Sequence, residues 1–414
     1  MQFDLKYGRQ TVSVNIPKKN LLGVLQPKNL PGIKNPEIAF EKALRDPIGS
    51  PPLARVVQPN DKVVIIVSDK SRTTFAHIFL PVLIRELNLS GIPDHDISII
   101  FSTGIHPLHT PQEQAKITGP EIAKRISLFD HNSEDESNLV EIGKTSRNTP
   151  VKINKKALEA DKIILTGSIS YHYFAGYSGG RKSIIPGVAG FETIQKNHAL
   201  CLSPAAGTGK LKGNPVHEDM LETTRMVNPR FLLNVVLNDK KEIAGIFAGD
   251  WQAAFRRGCQ FLDKYYKLEI KRKADAIIVS AGGYPNDLNF VQSHKALEHA
   301  SYALKDGGTM IFLAESAEGF PSQKYLEWFS LKEPEKITEK LLKNYAVAGQ
   351  TVLACIRKAK RFKIIWVSKF MKQFEEKMGI KVVETLDAAL QSIDQGSIFY
   401  IMPEGYMTFP YLTN

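Results

Sequence analysis

Short apolar runs rich in β-branched residues recur along the chain, at residues 63–67, 97–101, 162–165, 232–237, 276–279, 310–313 and 364–367. Each run is continuous rather than alternating, and amphipathic or polar stretches separate them. Continuous apolar strands are buried on both faces, which is the pattern of parallel sheets covered by helices. The chain is therefore expected to be α/β. No fixed-period repeat or low-complexity tract interrupts this reading.

The ends of three runs carry polar groups. Residues 63–67 lead into Ser68-Asp69-Lys70-Ser71-Arg72, residues 97–101 into Ser102-Thr103-Gly104-Ile105-His106, and residues 162–165 into Thr166-Gly167-Ser168-Ile169-Ser170-Tyr171-His172. Ligands of open α/β sheets bind beyond the carboxyl ends of strands, so three strands are expected to deliver these groups to one place.

A chain of 414 residues exceeds the size of one hydrophobic core. Two α/β domains with an active-site cleft between them are expected. The basic stretch EIKRKADAI at 269–277 precedes a fresh strand and sets the boundary near residue 270. Residues 1–270 then form an N-terminal cofactor-binding and catalytic domain, and 271–398 a C-terminal α/β domain that contributes substrate-binding residues. The tail 399–414 is expected to return to the first domain.

Composition narrows the class. A hydrophobic share of 43% and a charged share of 23% exclude wholesale disorder. No apolar run approaches the roughly 18 residues that span a bilayer, and the start MQFDLKYGRQ lacks the pattern of a secretion signal, so a cytoplasmic enzyme with no membrane partner is expected. Cys201, Cys259 and Cys355 are far apart and without CxxC spacing, which argues against a disulfide framework or a thiolate metal site. The net charge of +11 fits an anionic substrate or cofactor. Taken alone it fits nucleic acid equally well. Much of the excess lies in runs such as RKAKRFK at 357–363, with little aromatic interleaving, which read as a solvated face; a nucleic-acid partner is not expected.

The richest segment is YHYFAGYSGGRKSIIPGVAGFETIQKNHA at 171–199, with five glycines from Gly176 to Gly190. Such density suits close backbone approach to a ligand, with main-chain N–H groups available to a phosphate. Arg181 and Lys182 add positive charge. The segment is not a Walker A loop, because Arg181 stands where the second glycine belongs, and Gly207-Thr208-Gly209-Lys210 fails because Leu211 replaces the magnesium-binding hydroxyl. Residues 192–200 read as a helix with His198 in its final turns. His172 and His198 lie on one excursion and His106 comes from the end of another strand; two histidines on opposite sides of a substrate are what a stereochemically two-way proton transfer requires. His106 and His109 share a three-residue spacing around a proline, and without an HExxH helix zinc is not expected there. Asp69 and Arg72 offer a carboxylate and a guanidinium suited to bidentate anion binding. In the second domain Gly282, Gly283 and Pro285 mark a tight loop, and Gln292 and Lys295 lie one turn apart at the start of a helix, able to face an anion. His294 and His299 fall on other faces of that helix and read as structural or exposed.

Taken in order and spacing, SDKSRTT, STGIH, YHYFAGYSGGRKSIIPGVAGFETIQKNH, KLKGNPVHED and YPNDLNFVQSHK resemble the nickel-pincer lactate racemase family over most of the chain. The resemblance implies a racemase or epimerase of a 2-hydroxy acid, lactate or a related acid, acting by hydride transfer. It implies a pyridinium mononucleotide joined to Lys182 through a thioamide, carrying nickel with His198 as the protein's ligand, an assignment consistent with nickel's preference for nitrogen donors. His106 and His172 would then be the alternating acid and base. Arg72, Gln292 and Lys295 would orient the substrate, Asp69 would fix Arg72 or the cofactor, and Gly179, Gly180, Arg181 and Ser183 would line the cofactor's bed. Enzymes that build the cofactor would be partners. One position departs from the family pattern: Val291 precedes Gln292 where the family often has tyrosine, so lactate alone is not implied. The alternative is an oxidoreductase or transferase that binds its nucleotide reversibly at the glycine-rich loop, and the absence of GxGxxG after a strand counts against it.

Overall fold

The computed structural model describes residues 1–394 and 396–413. The chain forms two compact units: an inserted unit, Leu30–Lys264, and a terminal unit that joins Met1–Asn29 to Tyr265–Asn414. Each is α/β, and the apolar runs of the sequence become its strands.

The sheet of the inserted unit contains β1 (Val63–Ser68), β2 (Ile97–Ser102), β3 (Ser127–Asp130), β4 (Lys162–Ser168), β5 (Phe231–Leu237) and β6 (Ile243–Gly249), in the order β6-β5-β4-β1-β2-β3. Every neighbouring pair is parallel except β5 with β6. Residues 63–67 of β1 are buried throughout, as a central parallel strand requires. On one face the Ala76–Leu89 helix sets Phe79, Leu80 and Leu83 into the core, where the Phe79 ring meets Phe40 edge-on at 5.8 Å. The chain steps outward from β1 to β3 and then returns to lay β4 on the other side of β1. That reversal creates a crevice at the carboxyl ends of β1 and β4, the place where open α/β sheets bind ligands.

The terminal unit has a six-stranded sheet, parallel throughout, in the order Lys381–Val383, Lys363–Val367, Leu304–Leu313, Ala274–Ser280, Phe399–Met402, Leu21–Val24. This corrects the expected domain limits. Residues 1–29 do not belong with the catalytic unit: Leu21–Val24 is the edge strand beside Phe399–Met402, and the hairpin Gln2–Tyr7/Gln10–Asn15 is pinned through Gly8, whose N–H donates to Asp287 Oδ2 at 2.6 Å. The tail likewise stays in the terminal unit, because Phe399–Met402 supplies the backbone partners that Ala274–Ser280 lacks on that side. Among the described residues no helix is long and apolar enough to cross a membrane.

Backbone hydrogen bonds tie the loops beyond β2 and β4 together. Gly104 N–H donates to the Gly187 carbonyl at 3.0 Å, and Gly187 N–H donates to the Lys182 carbonyl at 3.1 Å. No side chain fits at Gly187, since a Cβ would lie 2.1 Å from the Ser183 carbonyl oxygen and 2.7 Å from Ser102 Cβ. Gly187→Ala should therefore destabilise the inserted unit by about 1–3 kcal/mol, the usual penalty of overpacking, read as a lower urea midpoint; an unchanged midpoint would show that the loop relaxes freely.

Candidate active site

The reversal of strand order places Asp69 and Arg72 after β1, His106 after β2, and His172 and Lys182 after β4, on three adjacent strands. Asp69 is almost fully buried. Its Oδ2 lies 2.5 Å from His106 Nδ1, and its Oδ1 accepts the Ser71 hydroxyl at 2.7 Å. Burial opposes ionisation of this carboxyl, yet the hydrogen bond and charge of His106, the Ser71 hydroxyl and the Arg72 guanidinium outweigh it and hold Asp69 below the usual carboxylate range. An ionised carboxylate only accepts, so in the neutral ring the His106 proton sits on Nδ1 and the lone pair on Nε2. The His106 side chain is 48% exposed, against 5% for Asp69. A buried carboxylate thus orients an accessible imidazole.

His172 lies in a two-residue strand, Tyr171–His172, paired with Gly176–Tyr177. The paired tyrosines of this ladder are pinned by one carboxylate: Tyr171 Oη donates to Asp263 Oδ1 at 2.9 Å and Tyr177 Oη to the same oxygen at 2.8 Å. The His172 Nδ1 accepts the Ala175 N–H at 3.3 Å, which leaves its proton on Nε2. Its pKa is pushed well below the ordinary histidine value, first by desolvation and then by the charges of Lys182, Arg72, His198 and Arg181. His106 and His172 therefore present opposite polarities, a lone pair from one and an N–H from the other.

Phe174 is the hub of the second half of the site. Its ring centroid is 4.5 Å from that of His172 and 5.2 Å from that of His198, both edge-on, and Lys182 Nζ stands 5.7 Å from it. Lys182 belongs to a short 3-10 turn, Gly180–Ser183. Desolvation, then the Arg72 and Arg181 charges, drive its amine well below the usual lysine range. His198, in the Phe191–Ala199 helix, is pushed down to about 3 by burial and the Lys182 charge, against a hydrogen bond to the Ile194 carbonyl. The helix is moored beside it: Asn197 Nδ2 donates to Asp219 Oδ2 at 2.9 Å and to the Val216 carbonyl at 3.2 Å.

Three expected cofactor contacts have other work. The Arg181 side chain is completely buried, donates to the Ala175 and Gly179 carbonyls at 2.6 and 3.3 Å, and stacks 4.6 Å from the Phe255 ring. It braces the glycine loop from within. The Ser183 hydroxyl donates to the Thr166 carbonyl of β4 at 2.8 Å, and the Gly180 N–H donates to Asn234 Oδ1 at 2.8 Å, so neither is available to a phosphate. Gly179 has φ of +78°, and a Cβ there would meet Asn234 Oδ1 at 2.7 Å; the glycine pair lets this backbone lie against β5. Gln292 and Lys295 belong to the terminal unit, in the helix Phe290–Ala300 capped by Asn289, where Lys295 Nζ donates to Gln292 Oε1 at 2.6 Å. His294 and His299 on the same helix are buried, as structural residues are. Sequence reading missed Asp263 and Asp130, whose partners are distant along the chain, and weighed His109 only as a metal ligand.

Among the described residues, no three His, Cys, Asp or Glu side chains are grouped to hold a metal ion. A metal at His198 would find fewer than three such side chains among the described residues. A desolvated lysine of lowered pKa, a carboxylate-oriented imidazole and a second imidazole of opposite polarity thus follow adjacent strands of a doubly wound sheet.

Residues 7–209 match the lactate racemase N-terminal domain and residues 270–402 the lactate racemase C-terminal domain. A lactate racemase of Thermoanaerobacterium thermosaccharolyticum is 34% identical over 82% of this chain and 80% of its own, and one of Lactiplantibacillus plantarum is 38% identical over 76% and 75%. The structure of the lactate racemase apoprotein from Thermoanaerobacterium thermosaccharolyticum superposes with a TM-score of 0.91 at 30% identity, covering 99% of this chain and all of that one. A structural-genomics protein from Thermotoga maritima, at 17% identity and a TM-score of 0.65 over 91% and 97%, shares the fold. The chain belongs to the lactate racemase family, and it is an isomerase, a racemase.

The lowered Lys182 pKa has a direct consequence. A lysine whose pKa falls is neutral, and hence nucleophilic, at pH values where ordinary lysines near 10.4 remain charged. Limited acetylation of cofactor-free protein at pH 7 should mark Lys182 ahead of exposed lysines such as Lys155, and the preference should fade as the pH nears 10. Mass mapping that finds Lys182 labelled last at pH 7 would contradict the desolvated amine.

Proposed function

We propose that this racemase interconverts the enantiomers of lactate or a related 2-hydroxy acid in the cytoplasm, with a nickel-pincer pyridinium mononucleotide joined to Lys182. The observation that carries the proposal is the convergence of His172, His198 and Lys182 around Phe174. The residues suit the group. Lys182 is a desolvated amine of the kind that forms an amide-like bond. His198 is a neutral imidazole with the backbone hydrogen bond that orients metal-bound histidines. Arg72 and the buried Arg181 make the surroundings electropositive, as a phosphate and a carboxylate require.

When bound, the group supplies a hydride acceptor for Cα, chemistry that side chains lack for so weakly acidic a carbon. The chain's own residues handle the proton. His106 Nε2, with Nδ1 held by Asp69, takes the hydroxyl proton from one enantiomer, and His172 Nε2 serves the other side. Arg72 aligns the substrate carboxylate, and Gln292 and Lys295 are assigned to substrate binding by the family resemblance.

Protein made in a host that also carries the cofactor-building enzymes tests the proposal. Its intact mass should rise by one nucleotide, with about one nickel per chain, and both should convert D- to L-lactate and back. Lys182→Ala should lose the added mass and all turnover. His106→Ala and His172→Ala should each keep the cofactor and slow both directions by roughly 100- to 10,000-fold, as loss of a general acid or base does. An unmodified, nickel-free chain from that host, or racemisation by Lys182→Ala, would sink the covalent assignment.

A further inference from the structure

The loop that leaves β1 is held at a second point that the mechanism above does not use. His109, three residues past His106, has a side chain with no exposed surface. Its Nδ1 lies 2.6 Å from Asp130 Oδ1 at the end of β3, and its Nε2 accepts the Lys70 backbone N–H at 3.0 Å. A carboxylate accepts and an amide N–H donates, so the ring proton is on Nδ1 and the lone pair on Nε2. Asp130 grips the same residue twice, for its Oδ2 accepts the His109 N–H at 2.7 Å, and Gln114 Nε2 adds a longer contact to that oxygen at 3.3 Å. The ring packs 5.0 Å from Phe101 of β2. Both nitrogens are occupied, which removes His109 from any metal site. The Lys70 ammonium is anchored independently by Glu113 at 2.6 Å, part of the capping box that opens the Pro111–Thr118 helix.

Lys70 directly follows Asp69, the carboxylate that orients His106. A shift of the Lys70 amide moves the Asp69 backbone with it, and with that the aim of a 2.5 Å hydrogen bond. We propose that His109 is a positioning residue for proton transfer: it transmits the fixed position of Asp130 on β3 to the Lys70 amide and so aims Asp69 at His106 Nδ1. The inference rests on the assignment of His106 as a proton-transfer residue, and it concerns how that residue is held.

The test separates positioning from mere packing by reading the His106 tautomer with long-range proton–nitrogen NMR, alongside turnover of D- and L-lactate by the loaded enzyme. His109→Gln keeps a donor and an acceptor across one carbon, whereas His109→Leu keeps only bulk. Wild type and His109→Gln should show His106 protonated on Nδ1. His109→Leu should lose that preference and lose roughly 100-fold in turnover, the scale of a small misplacement of a reacting group, with nickel content and added mass unchanged. Asp130→Asn covers the case in which the leucine variant does not fold. Its amide can donate to Nδ1, which sends the His109 proton to Nε2 against the Lys70 N–H, and the His106 preference should weaken there too. Retention of the Nδ1 tautomer of His106 in folded His109→Leu or Asp130→Asn, or equal impairment of the glutamine and leucine variants, overturns the proposal. The NMR reading needs no turnover, so a failure of the racemase assignment on lactate would leave this result separately legible.

Discussion

Arg181 and Lys182 are neighbours in sequence and both are removed from water, and only one of them can give up its charge. A guanidinium stays protonated, so Arg181, lowered only to about 10, must be accommodated as a cation. The fold does this without a carboxylate, using the Ala175 and Gly179 carbonyls and the face of Phe255. Burying a second cation beside it would cost several kcal/mol more, and Lys182 escapes that cost by releasing its proton. The buried Arg181 charge therefore braces the loop and helps to lower the neighbouring amine. Burial and the Arg72 charge on the β1 loop act on Lys182 alongside Arg181, and the two guanidiniums also depress the buried His172.

This electrostatic arrangement depends on strand order. Because β4 returns to lie beside β1, loops separated by about a hundred residues in sequence emerge side by side, and β2 adds the third. The loops are then fixed mostly by the protein's own contacts. Asp263 holds the Tyr171–Tyr177 pair next to His172, Gly104 and Gly187 join the His106 loop to the Lys182 loop, and Asn197 with Asp219 moors the helix of His198. Preorganisation of this kind lets acid–base groups act without paying reorganisation at each turnover.

The parts legible in the sequence are those encoded locally. Parallel strands buried on both faces read as unbroken apolar runs, and the polar residues just after β1, β2 and β4 could be named before any packing was known. The helix around His198 and the start of the Gln292 helix are local signals as well. Long-range pairings were not legible. Asp130 and His109 are 21 residues apart, Asp263 and Tyr171 are 92 apart, and nothing in their spacing distinguishes them from surface residues. The terminal hairpin was misassigned because its attachment to Asp287 lies 279 residues away. Glycine density, read as a bed for a phosphate, reflects at Gly179, Gly180 and Gly187 a backbone pressed against its own protein. Arg181 and Ser183 face inward for the same reason.

The central claim is that the histidines move only the hydroxyl proton while the hydrogen on Cα travels as a hydride and returns to the same carbon. L-lactate carrying deuterium on Cα, incubated with the loaded enzyme in ordinary water, tests this most directly. The account predicts D-lactate that retains the Cα deuterium, with turnover slowed by the heavier isotope. Product that has exchanged its Cα deuterium for solvent hydrogen would mean that a side chain removes the Cα proton, and would contradict the account.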